Sequence, residues 1–394
     1  MSTIFSFGNS LVSAPSGPLV GRDYDRWNPL RLPAFSILVQ CMPGNAPHNT
    51  VGTATNVGND TWLVQYSRPN WYNMFGDDLS IVKVLGANTT GVTGMARMFD
   101  RCTNLSRIEN NFDMSSVTST MDMFSLCTNF QSAGDFNTSS AVKMDGMFYG
   151  CTALKNIGSI DTSSATDIAN IFSSCQSLTE MPSLNTGNVT NMTGAFNRCT
   201  GITSIKYMDT HSVVYMHDTF SGCISISTLP LMDFSNVESL DGFVTGCTNL
   251  TTLPAFNTSK VKNWTDAFAY CSSLDFDNFP QLDTSSAESM SATFRQTNIR
   301  NIPSWLDTSR VTSFSQMFYG CEVLGRITAM DMRNAQNVNE MFCDCYNVST
   351  GALQLYQYLS GISGISSHNR CFHYCGTHSS SGEAELAQIP DDWK

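Results

Sequence analysis

The sequence runs to 394 residues and carries 33 acidic against 21 basic side chains, a net charge of −12. That balance argues against nucleic acid or an anionic membrane as the main partner. Hydrophobic residues make up 41% and charged residues only 14%, so Ser, Thr and Asn must cover much of the surface.

Residues 1–30 are rich in Gly, Pro and Ser and show neither a helical nor a strand period. They read as an extended arm, which orders only by lying on the rest of the fold or on a partner. The opening Met-Ser-Thr-Ile-Phe-Ser-Phe-Gly has no basic region followed by an apolar core, so no secretory signal is expected. No apolar run approaches the length of a membrane span, and membrane insertion is not expected. Assembly in a bacterial cytoplasm is the expectation that follows.

Residues 31–87 read as a small β module for capping or attachment. Phe-Ser-Ile-Leu-Val-Gln at 35–40 and Trp-Leu-Val-Gln-Tyr at 62–66 are β-rich runs, with a Gly/Asn/Thr-rich loop between them, and 78–85 is a further strand. Such a module would cover the open end of a repeat array.

From 88 to 349 one unit recurs, Met-Ala-Arg-Met-Phe-Asp-Arg-Cys at 95–102 being a full copy. Its Phe returns at 99, 124, 148, 172, 196, 220, 268, 294, 318 and 342, and at 244 Val stands in the phase beside Phe243. Steps of 24 residues, with one of 25 and a register slip around Phe294, indicate stacked coils. Within each coil, two or three apolar residues bracket a short strand. A turn follows, and apolar residues at three-to-four spacing then predict about one and a half helical turns. The expected fold is an α/β solenoid, a leucine-rich-repeat array of about eleven 24-residue coils, each a short strand plus a short helix. Columns of identical residues should face inward, among them Phe99 and Cys102, Phe148 and Cys151, Phe172 and Cys175, Phe196 and Cys199, Phe220 and Cys223, Phe268 and Cys271, and Phe318 and Cys321. The thiols read as a ladder of small buried hydrophobes. An Asp or Asn recurs before each predicted helix, at 113, 137, 161, 185, 209, 233, 257, 283, 307 and 331. It suits a corner that accepts backbone N–H groups better than a calcium column, which would favour carboxylates throughout.

Residues 350–394 form a C-terminal cap. Leu-Gln-Leu-Tyr-Gln-Tyr-Leu at 353–359 predicts a helix, and Phe372 and Cys375 restate the repeat phase once more.

Little in the chain carries chemistry. His368, Cys371, His373 and Cys375 have spacings that could hold zinc, although Cys375 already has a repeat role. Lys206, Tyr207, Trp305 and Arg326 stand out on a Ser/Thr-covered face as candidate binding residues. Tyr207 and Trp305 could equally cover a neighbouring coil. Acids outside the corner column are scattered rather than concentrated in one coil, so no catalytic residue and no cofactor is expected.

The phrases Phe-Asn-Thr-Ser-Ser, Val-Thr-Asn-Met, Met-Phe-Tyr-Gly-Cys-Thr-Ala-Leu and Leu-Asp-Thr-Ser-Arg-Val-Thr resemble the BspA-like leucine-rich-repeat family and the related mycoplasma-type surface-protein repeat. The resemblance covers about 88–349. It implies a cell-surface adhesin that binds host proteins or other cells. Similar repeats, with a lead-in like that starting at Ile81, also occur in proteins of phages and prophages of gut bacteria. The expectation is therefore a non-enzymatic virion structural or decoration protein of a bacteriophage, part of a fibre, tail or capsid. Its arm and β module would hold other virion proteins, and its solenoid would meet a host-surface protein or glycan. A bacterial cell-surface adhesin is the alternative, and a polysaccharide-degrading solenoid enzyme stands third.

Overall fold

The structure is a computed structural model describing residues 4–7, 10–13, 32–48, 52–109 and 112–394. Two units make up the chain, 1–189 and 190–394. In the expected arm, β1 (Ile4–Phe7) and β2 (Ser10–Ser13) pair antiparallel as a two-stranded sheet. The rest of that arm lies outside the described residues.

The module that follows contains β3 (Ser36–Cys41), β4 (Thr53–Gly58), β5 (Thr61–Gln65) and β6 (Ile81–Asn88). Strand β3, an almost continuously buried run, pairs antiparallel with both β5 and β6. Strand β4 occupies the stretch expected as a loop. It folds back on β5 through Asn59 and Asp60, both at positive φ (51° and 56°). Two consecutive left-handed residues give a hairpin turn whose twist matches its strands, and Val57 packs on the cluster of Leu32, Leu38, Leu63 and Leu85.

Two-residue strands follow in chain order: β7 (Arg107–Ile108), β8 (Phe112–Asp113), β9 (Ser132–Ala133), β10 (Phe136–Asn137) and β11 (Asn156–Ile157). Strands β6, β7, β9 and β11 pair in parallel, so the module sheet continues directly into the coils of the first unit. The coil pattern itself starts earlier than the expected boundary at 88. Asn70 already bridges Gly94, and Phe75 stacks on Phe99 at 5.4 Å.

Where the spacing predicts a short helix, the structure has overlapping turns. In the coil at 95–102, Met98, Asp100 and Cys102 donate their N–H groups three residues back, at 3.0–3.2 Å. The alternate N–H groups, those of Met95, Arg97, Phe99 and Arg101, instead donate to carbonyls of Ser119, Met121, Met123 and Ser125 in the next coil, at 2.7–3.0 Å. An α-helix would send every N–H four residues back within the same segment. Two left-handed residues per coil, here Arg97 (φ 57°) and Arg101 (φ 60°), stop a helix from propagating. Every second backbone donor is thereby turned towards the neighbouring coil.

The second unit repeats this ladder. Met192, Gly194, Phe196 and Arg198 donate to Tyr215, His217, Thr219 and Ser221 at 2.7–3.0 Å. Parallel bridges at the coil corner run from Asn191 through Tyr215, Ser239, Asn263, Ser289 and Ser313 to Asn337. Val244 takes the Phe position in its coil, and Phe243 fills the adjacent space edge-on to Phe220 and Phe234. Helix α1 (Ala352–Leu359) matches the predicted C-terminal helix, and α2 (Ser380–Leu386) is capped by the Ser379 hydroxyl accepting from the Gly382 N–H. Trp393 packs on His368 and Phe372 and closes that end. No helix among the described residues is long and apolar enough to cross a membrane.

The Phe column is the continuous element of the first unit's core, and in the second it is interrupted once, at Val244. Centroids of Phe99, Phe124, Phe148 and Phe172 follow one another at 5.5 Å with rings within 10° of parallel. Truncating one ring leaves a hole between two partners that the stacked backbone cannot close. Phe148→Ala should therefore lower stability by about 3–5 kcal/mol in denaturant unfolding.

Candidate binding surfaces

Three kinds of column distinguish residues that build the coils from residues left over for function. The first is the thiol ladder. Each of Cys102, Cys127, Cys151 and Cys175 donates its S–H to the carbonyl of the column Phe one coil earlier, at 3.0–3.2 Å. In the second unit Cys223, Cys247, Cys271, Cys321 and Cys345 do the same to Phe220's column at 3.0–3.1 Å, with Val244 standing in for Phe once. All the predicted ladder residues, from Phe99 and Cys102 to Phe318 and Cys321, are buried. Burial pushes the thiols of Cys223, Cys271 and Cys321 up to about 12, because a thiolate there would lose its water.

The second is the Asx column. At all ten positions, from Asp113 to Asp331, a side-chain oxygen accepts the backbone N–H two residues on, at 2.8–3.4 Å. At seven of the ten positions a buried Thr follows, and it ties the coils together. Its hydroxyl donates to the next Asx carbonyl from Thr138, Thr162, Thr210, Thr258, Thr284 and Thr308, at 2.6–3.0 Å. Hydrogen bonds from Ser163, Ser235 and Ser285 hold Asp161, Asp233 and Asp283 below the usual carboxylate range. These carboxylates have a structural partner each and are not poised as a ligand set.

The third kind lies outside both columns, where acids from successive coils do meet. Asp122, Asp145 and Asp167 line one hollow of about 300 Å³ with Gly146, Tyr149, Ala169 and Asn170. Gly146 takes a left-handed backbone there (φ 62°), and its missing Cβ leaves room for the Asp122 carboxylate. Burial, then the charges of Asp167 and Asp122, pushes Asp145 above the usual range. Arg97 pairs with Asp122 at 3.3 Å. The three acids occupy three different phases of the repeat, which is why reading each column separately misses them. A wider hollow of about 620 Å³ runs along the strand side of the first unit, lined by Asp135, Phe136, Ser159, Ile160, Ser183 and Leu184 among others.

The predicted binding residues fare unequally. Tyr207 is 75% exposed beside exposed Lys206, and Leu231, one coil on in the same phase, is 62% exposed. Arg326 is exposed on the strand column, where it bridges Asn301 and Thr350. Trp305 is half-buried and stacks on Phe279 at 5.9 Å, so it mainly covers the neighbouring coil. The metal candidates are not brought together. Cys371 and Cys375 are buried in the core, His368 stacks on Trp393 at 4.3 Å, and His373 packs on Tyr374 at the surface. Among the described residues no group of three His, Cys, Asp or Glu side chains is placed to hold a metal ion.

A family model described as "Mycoplasma protein of unknown function, DUF285" matches residues 70–183, 166–254 and 238–354. The first match begins at Asn70, where the coil pattern begins in the structure. No curated protein matches the sequence. A solved leucine-rich repeat protein from Bacteroides ovatus is similar at 14% identity, the match covering 77% of this chain and 86% of that one with a TM-score of 0.34.

Two outcomes test the columns. All 14 cysteines are free and buried, so a thiol reagent at pH 8 should modify none of them in the native protein and all of them after unfolding. Asp145, raised in the folded state, contributes stability that is present below about pH 4 and is lost as pH rises through its folded value. Asp145→Asn should therefore raise the Tm at pH 7, with the advantage over the parent vanishing near about pH 3.

Proposed function

The chain belongs to the family described as "Mycoplasma protein of unknown function, DUF285", and we propose that it is a non-catalytic solenoid display protein that binds another macromolecule. Its place, on this reading, is a bacteriophage virion. The observation that carries the binding surface is the exposure of Tyr207 and Leu231 on neighbouring coils. Neither contributes to the columns that hold the coils, and large exposed apolar side chains in one phase suit a protein or glycan partner. The remote chemistry expected of a polysaccharide-degrading enzyme draws no support from the Asx carboxylates, each of which is engaged by its own turn.

The β module supports the attachment half of the proposal. Its sheet runs into the first coils through the pairing of Lys83 with Arg107 and Val84 with Ile108, so a load on the module is passed to the coils without a flexible joint. The arm at 1–30, with β1 and β2 as its described part, would bind the other virion proteins. A cell-surface adhesin is the second reading, favoured by a family named for mycoplasmas, which are cells rather than viruses.

Mass spectrometry of purified particles against host envelope fractions separates the two. Deleting residues 1–30 should abolish incorporation into particles while the remaining chain keeps its unfolding midpoint. Normal incorporation of the truncated chain would overturn the virion reading. Tyr207→Ala with Leu231→Ser should change stability by no more than about 0.5 kcal/mol and remove binding to host cells.

A further inference from the structure

The seven-stranded sheet of the first unit ends on β4, and among the described residues no strand lies beyond it. Alternation along the sheet shows which backbone groups of β4 are left over. The Tyr66 N–H donates to the Phe35 carbonyl at 2.9 Å, and the Cys41 N–H to the Asp60 carbonyl at 2.8 Å. Even-numbered residues in and around β5 therefore turn their backbone groups towards β3. Thr61, Leu63 and Gln65 turn theirs towards Gly58, Thr55 and Thr53 of β4. Ala54 and Asn56 alternate with those positions, so their N–H and C=O groups point out of the sheet. Both residues are exposed, and among the described residues nothing pairs with those groups.

Natural sheet edges are blunted by charge, by proline or by a bulge. Strand β4 reads Thr-Ala-Thr-Asn-Val-Gly and has neither charge nor proline. Its register shift, between Asn56 and Gly58, falls after the outward pair and leaves that pair unblocked. Such an edge can accept a further antiparallel strand.

We propose that the strand it accepts is β4 of a second copy, giving a two-fold dimer in which the two sheets become one. Two outward residues with one residue between them are what a two-fold pairing needs. An axis through Thr55 sets Ala54 opposite Asn56 of the second copy, and each such pair exchanges both its hydrogen bonds. The same axis sets Thr55 opposite itself as a non-hydrogen-bonded pair, where side chains approach closely and Thr against Thr is favourable. Charge points the same way. A net charge of −12 opposes association through a charged surface, and β4 offers an uncharged one. The contact lies apart from the Tyr207 face, and its assignment does not depend on whether the protein is carried by a virion or a cell.

Sedimentation equilibrium of the full chain from about 5 to 500 µM tests it, with a reversible monomer–dimer equilibrium and a Kd of about 100 µM expected for so small an interface. Thr55→Lys and Thr55→Glu should each weaken the dimer at least roughly tenfold, since each sets like charges directly opposite across the axis. An equimolar mixture of the two variants should restore association to within about threefold of the parent, because opposite charges then face each other. Ala54→Pro, which removes an outward N–H and none that bonds β5, should also weaken the dimer at least roughly tenfold. A parent that stays monomeric throughout would overturn the proposal, as would assembly beyond dimers, which a closed two-fold contact does not allow. So would a dimer indifferent to charge at Thr55, or a mixture as monomeric as either variant alone. The parent measurement uses the unaltered protein, so it keeps the proposal falsifiable even if a variant fails to fold.

Discussion

A coil of two dozen residues cannot satisfy its own backbone. Half of the N–H groups in each Met-to-Cys turn find acceptors three residues back, and the other half find them only in the next coil. A buried backbone donor without a partner costs on the order of 1–3 kcal/mol, so an isolated coil is unstable however apolar its interior. Stacking is therefore the condition for forming the coil at all. Everything else in each unit is fitted around that lateral pairing.

Side chains extend the same logic. The thiols, the buried threonines and the asparagines at 188, 236 and 334 all reach carbonyls of an adjacent coil. Neutral groups do this at small desolvation cost, whereas a charged group in the same place would need a buried counter-ion. That is the physical reason for a chain with only 14% charged residues whose interior is nevertheless full of polar contacts. It also explains why the cysteines are chemically quiet. Ladder thiols such as Cys151 and Cys175 donate to a carbonyl of the preceding coil in a site where the thiolate is disfavoured.

Much of this was legible in the sequence, and the failures have identifiable causes. The 24-residue beat, the inward Phe and Cys columns and the Asx corners are all visible as columns, and the strands at β3, β5 and β6 stand out as β-branched runs. The short helix was misread because apolar residues at three-to-four spacing fit overlapping turns as well as a helix. The discriminating sign is glycine at 146, 150, 242 and 246, four residues apart inside the supposed helices. Strand β4 was hidden by its Asn-Asp turn and its exposed face. The acid hollow at Asp122, Asp145 and Asp167 was invisible for a different reason. Its members come from different phases of the repeat and meet only once the coils are stacked.

On the reading proposed above, a binding surface is best sought where the repeat is broken, because an unbroken column is used up in holding its neighbours. The breaks fall in few places. Tyr207 and Leu231 replace the Asp135, Ser159 and Ser183 that occupy the same phase in the first unit. Thr297 stands in for a ladder cysteine, and its hydroxyl turns back to Phe294 of its own coil at 2.8 Å instead of reaching the preceding coil. That lapse adjoins Arg295, whose Nε is buried without a partner while its outer face is clasped by Tyr270 and Tyr319. The long last coil, with α1 inserted, then brings Tyr346 and Tyr374 into a surface cluster of rings with His378 and His373. Departures from the period are thus where side chains are most clearly released from the work of stacking, as Tyr207 and Leu231 are.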